Sequence, residues 1–589
     1  MAGALGAAFE ASWQLSQNTA VLRPPLWLTV VADSFVAWAL TAALFWFYAA
    51  AVRTIRRRPR EADPVVAAYA AVVAPLVCYA AYRVLPRTKI SWAPAVLIGV
   101  LVAPVIGLAL AALLRRRNVA IAIGGTAAVV LLAFTAFSLL ERTRPVEPDR
   151  ANVVLITLDT TRADRLGCYG YDAARTPNLD RLAELGVKFD GTVCLEPLTA
   201  PSHATIMTSL YPETTGVILN GMELRADVPT VSEQFRAAGY ATAAFVASST
   251  VRARDTALDR GFERYDDAVT PAEGYHPSPM MPLTAAQKLS LLAKDDNDTE
   301  RPGDEVTEAA LKWLNVHGRR RPFFLWLHYF DPHDDYLPPP DFAPPGLTGR
   351  SLQKKINGNW AEGKGGPKVP ARIAALYDGE VAFMDAEIGR FLAKLEELDL
   401  AQSTVVAVVA DHGEAFGEHG TKYHGFRLYR EEINIPFIIC DLGGNLPPIN
   451  SPPSTISTLD VAPTVLDLAG IPTPRTMRGR ALFREAAPAP AYCVCVPEIR
   501  RKSKYAIGRL EALVTSREKL IVHDDNAEYY DLKTDPHETT NLTKEKPGRV
   551  AELRAEMERI QETVEPAPSP TFSTDQDTID KLRTLGYIK

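Results

Sequence analysis

The chain contains no histidine before residue 203, and only ten in all. Acids are almost absent from its first ~140 residues, where the bases gather in clusters. Cysteine is scarce as well: six, scattered, with nothing at zinc-finger spacing. Cys78 sits in an apolar run, Cys493 and Cys495 share one face of an expected strand, and a Cys168–Cys194 disulfide is conceivable outside the cytoplasm. No basic stripe is interleaved with aromatics, and the net charge is -6, so nucleic acid is not an expected partner. No internal repeat is apparent. At 589 residues the chain is too long for one ordinary domain.

Long apolar runs, by contrast, fill the N-terminal quarter. They are Leu26–Val52, Pro64–Leu85, Ala93–Leu114 and Val119–Leu140, each long enough to span a bilayer, which takes ~20 helical residues. They are too many and too long for a cleaved signal peptide. The first is followed by RTIRRRPR (Arg53–Arg60) and the third by Arg115–Arg117. Positive loops face the cytoplasm. Residue 1 and everything after Leu140 are therefore expected outside, although Arg87 and Lys89 make one opposing loop basic too. The expectation is a multi-pass integral membrane protein with about four transmembrane helices over 1–142, the lipid bilayer as a partner and the remainder extracytoplasmic. Asp33 inside the first run is a functional candidate or an acid paired near the interface.

Glu141–Arg150 is a polar, proline-containing linker, and after it the periodicity changes. NVVLITLD (Asn152–Asp159) reads as a buried parallel strand ending in an acid. TPNLDRLAELG reads as a capped helix that stops at Gly186. VSEQFRAAGYATAAFVAS, PFFLWLHYF and STVVAVVAD continue the alternation of helices and strands, which implies an α/β layered domain. Ligands of such sheets bind beyond the carboxyl ends of the strands. Asp159, Asp411 and the segment His328–Asp334 all sit at such ends. TPAEGYHPSPMMPLTAAQ and PPPDFAPPGLTGRSLQKKINGNWAEGKGGPK read as long loops. From Ala491 short strands and turns suggest a small antiparallel subdomain. The expected division is 1–142, 150–485 and 486–589.

Six histidines bunch in three segments: His203; His328 and His333; His412, His419 and His424. Satisfied structural histidines would be scattered. An Asp411-His412 pair at a strand end offers an oxygen and a nitrogen to one cation, and Asp159 would complete a mixed site for zinc, manganese, calcium or magnesium. TAPSHATIMTSLYP (199–212) reads as a helix start, with Pro201 in the first turn and Ile206, Met207 and Leu210 as an apolar face. A hydroxyl at that N-terminus, touching a divalent cation, would be an activated nucleophile; otherwise it is an ordinary cap.

NVVLITLDTTRADRLGCYGY, TAPSHATIMTSLYPETTGV, FFLWLHYFDPHDDY, ADHGEAFGEHG, TLDVAPTVLDLAG and EYYDLKTDPHETTNL follow in this order. Together they resemble the sulfatase branch of the alkaline phosphatase superfamily over ~150–589. The resemblance implies an α/β/α sandwich with a central sheet, one divalent metal ion, and hydrolysis or transfer of a sulfate or phosphate ester of a small molecule, lipid or glycan. It places the nucleophile at Thr199 and makes Ser202 a helix-start residue. It also matches Asp159, Asp411 and His412 to metal ligands, with Thr199 on the same metal. His333 falls where the transferring oxygens are held, and His424, with His419 beside it, near the leaving group; His203 stands at the arginine position of the nucleophile frame. Three departures accompany it. Sulfatases mature a Cys or Ser to formylglycine, which threonine cannot become. The Asp-Asp pair is Asp159-Thr160, and the Gly-Lys-x-His motif is replaced by VASSTV. A threonine nucleophile behind a membrane bundle is similar instead to lipoteichoic acid synthases and phosphoethanolamine transferases. A membrane-anchored phosphoesterase or phosphotransferase is the expected function. A true sulfatase is the alternative within the class, and an inactive receptor or scaffold the alternative outside it.

Overall fold

The computed structural model describes residues 150–268, 300–364, 366, 368–449, 455–484, 489–496 and 508–567. The four apolar runs, the linker up to residue 149 and the loop expected from Thr270 lie outside them. Among the described residues no helix is long and apolar enough to cross a membrane.

A seven-stranded sheet forms the centre. Its strands are β1 (Asn152–Leu158), β2 (Val187–Phe189), β3 (Ala241–Phe245), β4 (Arg264–Asp266), β5 (Phe323–Tyr329), β6 (Thr404–Ala410) and β7 (Phe437–Asp441), in the order β2-β7-β6-β1-β5-β3-β4. All pair in parallel except β7, which runs against both neighbours. Continuous apolar runs form the central strands because both sheet faces are covered, and every residue of β1, β5 and β6 is buried.

The covering helices are α1 (Pro177–Leu185), α2 (Thr199–Thr208), α3 (Val231–Ala237), α4 (Gly303–His317), α5 (Arg350–Ala361), α6 (Val369–Glu397) and α7 (Val461–Leu468). α1, α4 and α5 pack around α6 on one side; α2, α3 and α7 pack together on the other. In α6 the buried residues Ile373, Tyr377, Val381, Met384, Ile388, Phe391 and Leu395 recur every three or four positions, the stripe that a core-facing helix needs. This is the expected α/β/α sandwich of alkaline phosphatase type.

Two local expectations need correction. The segment expected as one long loop before Lys368 contains helix α5, whose Gln353, Ile356, Asn357 and Trp360 are buried at helical spacing. Two polar members and Gly358 within it masked the apolar stripe. Cys168 and Cys194 are both free thiols, not a disulfide. Cys194 is fully buried, with its Sγ directed at the Glu432 carbonyl.

A second sheet follows in the chain: β8 (Ala491–Cys495), β9 (Leu510–Val514), β10 (Glu518–His523) and β11 (Asn526–Asp531), antiparallel throughout. Strand alternation sends Cys493 and Cys495 into the main core, while Tyr492 and Val494 face the helix α8 (Pro547–Gln561) through Leu553 and Met557.

Candidate active site

Strand register decides where the chemistry gathers. Leu158 of β1 lies level with Tyr329 of β5 and Ala410 of β6. The residues that follow, Asp159, Phe330 and Asp411, therefore leave the sheet at one edge. Asp159 N–H donates to the Tyr329 carbonyl at 2.9 Å and Asp411 N–H to that of Leu158 at 3.3 Å, which extends the pairing by one residue.

Asp159, Asp411 and His412 present one donor atom each, all within 4.8 Å of one another and all fully buried. Asp411 Oδ1 accepts the amides of Thr160 (3.1 Å) and His412 (2.7 Å). That leaves Oδ2, which is buried and, like Asp159 Oδ1, has no hydrogen-bond partner among the described residues. Burial pushes both carboxyls up; the Asp159 charge raises Asp411 further, whereas hydrogen bonding with Asp411 partly lowers Asp159. Two buried, partnerless carboxylate oxygens beside an imidazole are costly without a cation and fitting with one. The His412 ring donates Nδ1–H to the Gly413 carbonyl (3.1 Å), so Nε2 is its unprotonated nitrogen. Gly413 itself is required: a Cβ there would lie 2.1 Å from the Glu431 carbonyl oxygen.

Thr199 opens α2, and its Oγ1 lies 3.4 Å from His412 Nε2. Ser202 fixes the helix start to the metal-type cluster by donating Oγ–H to the Asp411 carbonyl at 2.7 Å. The first-turn amides are differently used than the sequence suggested. Ala200 N–H is taken by Asn220 Oδ1 (2.8 Å), Pro201 has none, and Ser202 N–H goes to Leu198 O. The helix end thus offers an anion less than a bare N-terminus would. Asn220 Nδ2, beside this turn, is a buried amide donor without a partner among the described residues. Sequence reasoning missed Asn220, because Asn-Gly reads only as a turn signal.

His203 and His328 lie under the cluster. Trp326 Nε1–H donates to Thr157 Oγ1 (2.9 Å), Thr157 donates on to His203 Nε2 (3.1 Å), and His203 Nδ1–H donates to the Thr199 carbonyl (2.8 Å). Burial drives the His203 pKa well down, so the ring is neutral and holds the Thr199 backbone. Ala247 N–H donates to His328 Nδ1 (3.3 Å), which directs Nε2–H at Asp159 Oδ2 (3.3 Å), the outer-shell bond that orients a ligating carboxylate. Burial lowers His328 to about 3.

His412, His424 and His333 form a row, with ring centroids 4.4 Å and 5.1 Å apart. His333 stacks on Phe330 and donates Nδ1–H to the Asp334 carbonyl at 2.8 Å. His424 Nδ1 faces the buried carboxyl of Glu414 at 3.4–3.5 Å. Burial raises Glu414 well above the usual carboxylate range. His419 is not brought into this row. Its Nδ1 bonds Glu431 (2.7 Å), its Nε2 the Glu538 carbonyl (2.9 Å), and its ring stacks on Tyr429. It ties the loop after β6 to the C-terminal part of the chain.

A buried threonine and a mixed carboxylate–imidazole cluster thus meet at the carboxyl edge of a mostly parallel sheet. The chain belongs to the sulfatase family: residues 151–471 match the sulfatase model, and 417–564 match the N-sulphoglucosamine sulphohydrolase C-terminal model. It is a hydrolase. An arylsulfatase of Clostridium perfringens is 25% identical over 438 residues, covering 67% of this chain and 90% of that one. A structure solved with the substrate D-glucosamine-2-N,6-O-disulfate superposes with a TM-score of 0.57, 21% identity, and coverage of 70% of this chain and 98% of that one. A phosphonate monoester hydrolase of Agrobacterium radiobacter gives a TM-score of 0.53 at 19% identity, covering 72% of this chain and 100% of that one. These structural likenesses establish the fold.

Proposed function

We propose that the chain is a membrane-anchored, metal-dependent enzyme that uses Thr199 to cleave or transfer phosphate esters at the outer face of a membrane. The observation that carries this reading is the placement of Thr199 Oγ1 3.4 Å from His412 Nε2, beside two carboxylate oxygens without partners. Asp159, Asp411, His412 and Thr199 would hold one divalent cation, which would supply positive charge to the transferring group's oxygens and favour ionised Thr199. Thr199 Oγ1 attacks phosphorus in line. The new Oγ1–P bond forms as the ester P–O bond breaks, and the proton given up by the Thr199 hydroxyl passes by way of His424 to the departing alkoxide. Asn220 Nδ2 and His333 would donate to the equatorial oxygens. Water or an acceptor alcohol then attacks the phospho-threonine, gives up its proton, and returns Thr199 to the hydroxyl form.

Phosphorus is favoured over sulfur on chemical grounds. The formylglycine of sulfatases releases sulfate by collapse of its hemiacetal; a threonine adduct must instead be broken by attack on the central atom. The four apolar runs supply a spatial reason, since head groups carrying phosphodiesters would lie beside the extracytoplasmic domain. A second reading, sulfate-ester hydrolysis by the same threonine, is favoured by the names of the relatives: the arylsulfatase and the disulfate-bound structure. A glycan ester suits that reading. Purified full-length protein assayed on phosphate monoesters, phosphate diesters and sulfate esters, with zinc, manganese, calcium and magnesium in turn, separates them. Turnover of sulfate esters alone would reverse the preference.

A further inference from the structure

Two loops carry the cluster, one after β1 and one after β6, and both are tied to a side chain outside it. Tyr377, fully buried in α6, donates its hydroxyl to the Thr160 carbonyl at 2.9 Å and accepts the Arg162 amide at 3.0 Å. Thr160 stands at φ 47, a conformation that a β-branched residue adopts only when its surroundings impose it. Its two peptide groups are held at both ends: the carbonyl by Tyr377, the amide by Asp411 Oδ1 at 3.1 Å. Arg162 then crosses to the second loop. Its Nη1 donates to the Glu414 carbonyl (3.0 Å) and to Glu418 Oε1 (2.8 Å), while Nε and Nη2 grip Asp164 as a fork at 2.9 Å. Its guanidinium lies over the Phe416 ring, which also packs on Tyr377.

We infer that Tyr377 and Arg162 are positioning residues for the metal cluster. Tyr377 fixes the Thr160–Thr161 peptide, and with it the turn that brings the Thr160 N–H to Asp411 Oδ1; this bond turns Oδ2 toward Asp159. Arg162 fixes the backbone two residues beyond His412. Without such a brace two buried carboxylates that share one site would be free to move apart before a cation arrives. The brace therefore acts on cation affinity first and on turnover second. This rests on the metal reading above, and the test separates the two.

The probe is zinc or manganese alone, titrated into the full-length protein in competition with a chromophoric chelator. Tyr377→Phe removes one oxygen and keeps both ring contacts. It should raise the metal Kd about 10-fold or more and lower kcat at saturating metal, with KM held within about three-fold, as expected for an outer-shell partner. Arg162→Lys keeps the charge, loses the fork, and should act in the same direction. Tyr329→Phe is the control: its buried hydroxyl bonds Thr307 at 2.8 Å, away from the cluster, and its metal Kd should stay at the wild-type value. The inference is overturned when Tyr377→Phe binds metal within about two-fold of wild type, or when Tyr329→Phe loses as much. If Tyr377→Phe does not fold, Arg162→Lys decides by the same criteria. A wild-type protein that binds neither ion overturns the metal reading itself, and the brace with it.

Discussion

Replacing Asp411 with Asn should move stability and metal binding in opposite directions. Asn keeps an acceptor at Oδ1 for the Thr160 and His412 amides, and removes the negative charge at Oδ2. In the metal-free protein that charge faces Asp159, with donor atoms within 4.8 Å. At an effective dielectric near 20, two charges at that 4.8 Å limit repel by about 3.5 kcal/mol. Protonation of one carboxyl relieves part of this, because burial raises both. The remaining gain on substitution is about 1–3 kcal/mol, worth about 2–6 °C in Tm for a large domain. With metal present the order reverses: wild type gains about 2.7 kcal/mol when the ion stands at 100 times its Kd, and the variant, short of one ligand, gains little. The assay is thermal unfolding of both proteins in excess chelator and in excess zinc or manganese. An Asp411→Asn protein that melts below wild type in chelator, yet rises as far as wild type with metal, would refute the reasoning. It would mean that the two carboxylates are neither repelling each other nor sharing an ion.

Other outcomes follow from the same geometry. Asn220→Asp keeps the acceptor for Ala200 N–H but replaces the donor Nδ2; kcat should fall about 10²–10³-fold in steady-state assays with the metal Kd unchanged. Glu431 and the Glu538 carbonyl outweigh the burial that would lower His419, and hold it up at about 8. A raised folded pKa gives stability that is full below the unfolded value near 6.5 and lost as pH rises through about 8. Denaturant midpoints should therefore show about 1–2 kcal/mol lost over that window, discounted for the partly exposed ring edge, and His419→Gln should lack the step. For topology, a reporter fused at Lys589 should be active only outside the cytoplasm; activity only inside would reverse the orientation drawn from the arginine-rich loops.

Much of this site could be read from the chain because strand ends announce themselves. Asp159 and Asp411 each follow an uninterrupted apolar run, and a parallel sheet leaves such residues at one edge. Thr199 was legible through Pro201 and the family frame. What sequence could not supply is direction. His203, His328 and His424 look alike as letters, yet the first two are neutral supports held by Thr157 and Ala247, while the third faces Glu414. His419 belongs to the same short segment as His412 and turns to Glu431 and Glu538 instead. Asn220 hid in a turn dipeptide and Tyr377 in the apolar stripe of α6, where an aromatic reads as core. Helix α5 reads as loop in the sequence because its buried positions are half polar.

The central claim is that Thr199 carries a covalent phosphoryl group during turnover. Full-length protein should be incubated with a phosphate diester or a sulfate ester, quenched in acid, and the peptide holding Thr199 read by accurate-mass fragmentation. The account expects a phosphoryl group on Thr199 Oγ1 with the diester, and no adduct in Thr199→Ala, whose turnover falls about 10⁴-fold or more. Brisk turnover by Thr199→Ala, an adduct on another residue, or a sulfo group formed from sulfate esters alone would contradict it.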